Sequence, residues 1–379
     1  MKMLQAMLII FTFCIFYTNS LPLSTNGRWI VDDTTQQRVK LACVNWPSHL
    51  EPMLAEGLDK KPLAYIVSQL RSSRTFFNCV RFTWATYMFT RFANLTVSES
   101  LDSMNLRDAR DGVAWYNPWI LGMTIVQAFE AVVNELGAQN IMVILDNQVS
   151  RPAWCCSDDD GNGFVGDVDF DAEEWLQGLS MVAELFKGRS QVIAISTRNE
   201  MRGPHQNVED WYKYIKQAGS IIHNANPEVL IFASGLGYAS DLTFLKNKSL
   251  DTNFNNKLVY EAHWYSLTWG WRSTWDSQNV SDVCNGNTQF FIHQTGFVID
   301  GENPVPIFVG EIGLDQRGLS QTEEHYYSCV LGYLADFDID WALRAWPGSY
   351  YYLNDSISQQ IGIGVDDAMG VMDFSPESC

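Results

Sequence analysis

Eight short apolar runs, each followed by a stretch of polar or helical character, leave this chain very few folds. They fall at residues 39–46, 77–84, 141–148, 192–200, 229–235, 258–265, 306–313 and 340–347. Each is nearly continuous in apolar residues rather than alternating, as a strand buried on both faces must be. Between them, Trp175, Leu176, Leu179, Val182, Ala183 and Phe186 share one helical face. Ser320-x-x-Glu323 is a capping box ahead of Tyr326 and Val330, and Asn207 offers an N-cap to a helix that stops before Asn226-Pro227. Strand and helix alternating eight times predict an α/β protein built as a (β/α)8 TIM barrel. No glycine-rich dinucleotide turn follows the first run, which argues against an open doubly wound sheet. The 379 residues suit one such domain, and no linker divides them. After Pro347 the chain is rich in Tyr, Gly and Asp with no amphipathic pattern. The last helix is therefore expected to be short or missing, or the chain to be a C-terminally shortened form.

Two of the runs end in glutamate: Glu200 in Asn199-Glu200-Met201, and Glu311 in Gly310-Glu311-Ile312. A carboxylate leaving an apolar strand costs desolvation energy unless it is paired, so it marks chemistry more often than packing. Two of them in equivalent strand positions point to the acid and the nucleophile of a glycosidase. A single strand-end glutamate would read as a solvated surface charge.

The start, Met1-Lys2-Met3 followed by an apolar stretch to Phe16 and small residues at Thr18 and Ser20, reads as a signal peptide over residues 1–20. The single domain then runs over residues 21–379. The expected address is the secretory pathway, with the extracellular space, the cell wall or the vacuole as destination. Asn94, Asn247, Asn279 and Asn354 each begin an Asn-x-Ser/Thr acceptor, which favours a glycoprotein. Of the cysteines left in the mature chain, Cys43 and Cys79 lie in expected strands and read as small buried hydrophobes. Cys155, Cys156 and Cys284 fall in expected loops, where disulfides suit an oxidising compartment; the connectivity stays open. A net charge of −19 argues against nucleic acid or an anionic membrane as partner. The chain is expected to act as a monomer.

Active sites of a (β/α)8 barrel lie at the C-terminal ends of its strands. Those ends collect Asn45, Trp46, Arg81, Trp84, Asp146, Asn147, Gln148, Asn199, Glu200, His263, Trp264, Tyr265, Glu311, Arg344 and Trp346. Arg81, Asn199-Glu200, His263-x-Tyr265 and Glu311, in this order and on these strands, together with the stretches Leu41-Ala42-Cys43-Val44-Asn45-Trp46, Trp154-Cys155-Cys156 and Arg202-Gly203-Pro204, resemble glycoside hydrolase family 5, the cellulase-like retaining β-glycosidases, in its plant secreted branch. The resemblance runs from about Asn26 to Cys379. It implies Glu200 as acid/base and Glu311 as nucleophile. It also implies that Arg81 holds the nucleophile ionised, that Asn199 binds a sugar 2-hydroxyl, and that His263 and Tyr265 form the His-x-Tyr of the sixth strand. The substrate it implies is a β-linked glycan or glycoside cleaved by double displacement, with no cofactor.

Two positions depart from the family. Gln148 stands where relatives carry histidine, and it cannot titrate near neutrality. Arg344 stands where relatives place a sugar-stacking Trp; Trp346, two residues on, is expected to face the same side and substitute for it. Asn147, Gln148, Arg344 and Trp346 are thus taken as substrate-binding residues. These departures motivate a rival reading, a catalytically weak relative that binds glycan, and the same residues would also serve a transglycosylase. Separately, Asp158, Asp160, Asn162 and Asp169 copy part of the spacing of a calcium loop. Position 12 is Asp rather than Glu, and an acidic turn is the commoner origin of such a run, so no metal is assigned.

Overall fold

The computed structural model describes residues 22–72, 76–277, 279–313 and 320–346. The expected leader and the chain from Pro347, with Asn354, Cys379 and the expectation of a short or missing last helix, lie outside the described residues. Among the described residues ten strands occur in the order β1 (Leu23–Asn26), β2 (Trp29–Asp32), β3 (Ala42–Trp46), β4 (Cys79–Ala85), β5 (Met142–Val149), β6 (Val192–Ser196), β7 (Leu230–Ser234), β8 (Leu258–His263), β9 (Ile307–Ile312) and β10 (Asp340–Leu343). The last eight close into a barrel in the order β10-β3-β4-β5-β6-β7-β8-β9, every neighbouring pair parallel. Each of the eight apolar runs holds one of them. The fourth is shorter than expected: β6 stops at Ser196, so Glu200 stands on the loop beyond it.

Helices cover the outside of the barrel and bury their apolar stripes against it. Ala172–Leu185 turns Trp175, Leu179, Val182 and Ala183 inward, and Asp171 caps it by accepting from the Glu174 amide. Asn207 caps Val208–Ala225 in the same way, and Ser320 with Glu323 forms the capping box of Gln321–Asp336. No helix among the described residues is long and apolar enough to cross a membrane.

Inside the barrel the side chains form two layers. Cys43, Cys79, Ile144, Ala194, Phe232, Val259, Phe308 and Ala342, one from each strand, make an apolar floor. Two residues further along each strand the same face recurs, and there stand Asn45, Arg81, Asp146, Ser196, Ser234, Glu261, Gly310 and Arg344. The floor is closed from below by β1 and β2, a hairpin the sequence reading missed, whose Leu23 and Ile30 join the same cluster. Its turn uses Gly27 at φ +56°, a conformation glycine adopts without strain.

The cysteines correct the sequence reading in two places. Cys43 and Cys79 are buried but also bonded to each other, across the register pair that joins β3 to β4. Cys284 lies on the helix Val280–Gln294 rather than in a loop, and its bond to Cys329 ties that helix to Gln321–Asp336. Cys155 and Cys156 bond to one another in the loop after β5.

Candidate active site

Arg81 is the centre from which the site is built. Its guanidinium, wholly buried, donates from Nη1 to Asn45 Oδ1 (2.8 Å) and Glu311 Oε1 (3.1 Å). From Nη2 it reaches Asp146 Oδ1 (2.9 Å), Asn199 Oδ1 (2.8 Å) and Glu261 Oε1 (2.8 Å). A buried cation needs such partners, because burial alone disfavours its charge. Here the three carboxylates overcome that penalty and raise its pKa.

Glu311, near the end of β9, is held from three sides. Arg344 Nη1 lies 2.9 Å from the Oε1 that Arg81 also contacts, and the Tyr265 hydroxyl donates to Oε2 at 2.7 Å. Burial pushes this carboxyl up, but Arg344, then His263 and Arg81, then the Tyr265 hydrogen bond outweigh it and hold it well below the usual carboxylate range. Burial and the facing carboxylate push the Tyr265 phenol well above its ordinary value, so it remains a donor.

Glu200 stands on a loop pinned by its neighbours. Thr197 and Asn199 donate their amides to Phe232 and Asn147, Ser234 Oγ donates to the Arg198 and Asn199 carbonyls, and Arg202 donates to the Glu200 carbonyl. Its carboxyl takes a hydrogen bond from His263 Nδ1 at 2.8 Å, while Nε2 of the same ring faces Glu261 Oε1 at 3.4 Å. Burial alone would lower the His263 pKa; Glu311, Glu200 and Glu261 together raise it to about 10, so the ring is an imidazolium at neutral pH. One carboxyl oxygen of Glu200, one of Glu311 and a ring nitrogen of His263 all lie within 4.8 Å of one another. Paired carboxyls about 5 Å apart are the retaining arrangement, too close for a water between them. The same three atoms have the spacing of metal ligands, but Arg81, Arg344 and protonated His263 place positive charge there that opposes a cation.

Glu261 was missed as a site residue, and Asp146 was placed at the strand ends without a role. Burial raises Asp146 to about 7 despite Arg81. Burial also acts on Glu261, but Arg81, His263 and Ser196 overcome it and lower its pKa. Glu261 fits only because position 310 is glycine: a Cβ there would overlap its carboxylate. A charged residue in the middle of the run Leu258–His263 was the signal available in the sequence.

These groups open into a cleft of about 1110 Å³, lined by Gln148, Glu200, His263, Tyr265, Glu311 and Arg344 among others. Trp269 and Tyr238 also line it, and neither was among the expected site residues. Two expectations are corrected. Asn147 points away from the cleft, as period two requires beside Asp146 and Gln148, and binds Thr86 and Arg198. Trp346 does not replace a stacking aromatic: β10 ends at Leu343, and the Trp346 ring is buried edge-on against Phe77. In the calcium-like run the side chains pair with groups of the protein itself. Asp158 accepts from Tyr238, Asp160 from Arg202, Asp169 from Arg151, and Asn162 from the amides of Ser150 and Arg151. Asp160 thereby fixes Arg202, which donates to the carbonyl of Glu200.

Residues 76–348 match the family model described as Cellulase (glycosyl hydrolase family 5). The chain is 43% identical over 342 residues to a "Glycosyl hydrolase 5 family protein" of Chamaecyparis obtusa; the match covers 89% of this chain and 60% of that protein's length. Among solved structures, an endocellulase of Pyrococcus horikoshii superposes with a TM-score of 0.72 at 18% identity, covering 90% of this chain and 93% of the other. That endocellulase has also been solved in complex with cellotetraose. The catalytic domain of the major endoglucanase of Xanthomonas campestris gives a TM-score of 0.72 at 20% identity, covering 91% and 94%.

Proposed function

Because the chain belongs to glycosyl hydrolase family 5, the cellulase family, we propose that it is a retaining β-glycoside hydrolase acting on a β-linked glycan. The observation that carries this reading is a pair of carboxyl oxygens within 4.8 Å, one of them on a glutamate kept ionised by two arginines. Glu311 attacks the anomeric carbon while Glu200 gives its proton to the departing oxygen, leaving a glycosyl ester on Glu311. Glu200, now a carboxylate, takes a proton from water, and that water displaces Glu311 with net retention. His263 orients the Glu200 carboxyl through Nδ1, and Asn199, anchored on Arg81, faces the 2-hydroxyl of the sugar being transferred.

The cleft is large for a small-molecule site, where about 300–1,000 Å³ is usual, and therefore suits a chain of sugar rings. Trp269 and Tyr238 offer aromatic surface at its rim. The cellotetraose complex of the Pyrococcus horikoshii enzyme supports a β-glucan as the first substrate to try. Secretion and glycosylation belong to the same reading, supported by the leader-like start and by the exposure of Asn94, Asn247 and Asn279. Asn279 caps its helix through Oδ1, which leaves Nδ2 for a glycan.

The test is a panel of β-glycans and aryl β-glycosides assayed with the purified protein beside Glu311→Ala. Turnover with retained anomeric configuration that disappears in Glu311→Ala supports the reading. Tight glycan binding by the wild type, with no burst on an activated aryl glycoside, would replace it with the binder.

A further inference from the structure

One wall of the cleft is sulfur. Cys155 and Cys156, bonded to each other, both line it between Gln148 and Glu200. Each sulfur faces a different amide. Gln148 Nε2 points at Cys155 Sγ (3.7 Å) and Asn199 Nδ2 at Cys156 Sγ (3.9 Å). Sulfur is a weak acceptor, so these contacts matter for orientation more than for strength. Asn199 Oδ1 is committed to Arg81, which has only donors to offer. Its NH2 must therefore face the disulfide, with one N–H left for a ligand. Gln148 is the mirror case: its NH2 faces sulfur, and its buried Oε1 has no hydrogen-bond partner. A buried acceptor left open beside a cleft is satisfied when a ligand hydroxyl donates to it.

We propose that the Cys155–Cys156 disulfide is a sugar-positioning element of this site. It offers an apolar surface to one sugar ring and sets Gln148 as acceptor and Asn199 as donor for hydroxyls of that ring. A bond between adjacent cysteines closes a small ring through their shared peptide, so neither side chain can swing away alone. Free thiols would rotate independently and release both amides. Among the described residues, the other two disulfides lie in the barrel floor and between outer helices, and neither lines the cleft. The proposal rests on the glycosidase reading and adds a specificity device to it.

The test compares the full chain with Cys155→Ser/Cys156→Ser and with the control Cys284→Ser/Cys329→Ser. The substrates are an aryl β-cellobioside and its analogue lacking the 2-hydroxyl of the reacting ring. The first pair is expected to lower kcat/KM on the hydroxylated substrate by about ten- to a hundredfold, and by less than about threefold on the deoxy analogue. The control pair should leave that ratio unchanged. An equal loss on both substrates, or no loss, overturns the proposal while wild-type turnover leaves the glycosidase reading standing; a wild type that neither cleaves nor binds glycan ends both. A second measurement covers a pair that fails to fold. Cellotetraose bound to Glu311→Ala should slow phosphine reduction of Cys155–Cys156 by about tenfold or more, read by thiol labelling and peptide mass. Cys284–Cys329 reduction should be unaffected. Absence of protection at Cys155–Cys156 counts against the wall.

Discussion

Arg344 Nη1 stands 2.9 Å from Glu311 Oε1, the same oxygen that Arg81 reaches at 3.1 Å. A residue that the family comparison marks only as a lost stacking aromatic is therefore a charge partner of the proposed nucleophile. Replacing it with Leu should raise the Glu311 pKa, since a charge-assisted hydrogen bond contributes about 1.5–3 kcal/mol, roughly one to two pKa units. Glu311 must be ionised to attack, so the acid limb of the kcat/KM profile should move to higher pH. An unmoved acid limb in Arg344→Leu would place the control of Glu311 in Arg81 alone.

Arg81→Met should damage stability as well as turnover. It leaves Asp146, Glu261 and Glu311 buried without the cation they share. Removing one partner of a buried ion pair costs about 3–5 kcal/mol, which denaturant melts would register at neutral pH. The loss should shrink as the pH is lowered and these carboxylates take up protons.

His263 gives a pH dependence of the opposite kind. Its folded pKa, about 10, lies above its ordinary 6.5. The stability it contributes is fully present below about 6.5 and is lost as pH rises through the folded value. Wild-type stability should therefore fall between those limits, and His263→Gln should remove that part of the slope. Parallel wild-type and variant curves across this window would show that the ring is neutral in the folded protein.

Gly310→Ala tests the polar layer by shape alone. The added methyl meets the Glu261 carboxylate, and overpacking of this kind costs about 1–3 kcal/mol. Activity should fall further than the loss of stability explains, because Glu261 also orients His263. Gly332→Ala, on the outer face of the helix Gln321–Asp336 with open space around the new Cβ, serves as the control.

The barrel was legible in the sequence because strands buried on both faces leave unbroken apolar runs, and Glu200, Glu311 and Arg81 stood out as charges at their ends. The four-residue hairpin strands were too short to show periodicity. Trp346 was misplaced by extending period two beyond Leu343, where the strand has already ended. Asn147 shows the converse: alternation beside Gln148 assigned it to the outer face, but the cluster of polar letters hid the rule. The calcium-like spacing was real as a pattern. Arg151 and Arg202, distant in sequence from parts of it, occupy the carboxylates that an ion would have needed.

The apolar floor, with the hairpin beneath it, also bears on how protons travel. The residues below Asp146, Glu261 and Arg81 are buried and apolar, so exchange with solvent is expected through the mouth of the cleft, where a glycan would lie. A glycan filling that mouth should therefore slow proton exchange at the buried cluster. The ambient pH would then be sampled chiefly by the empty site rather than by the bound complex.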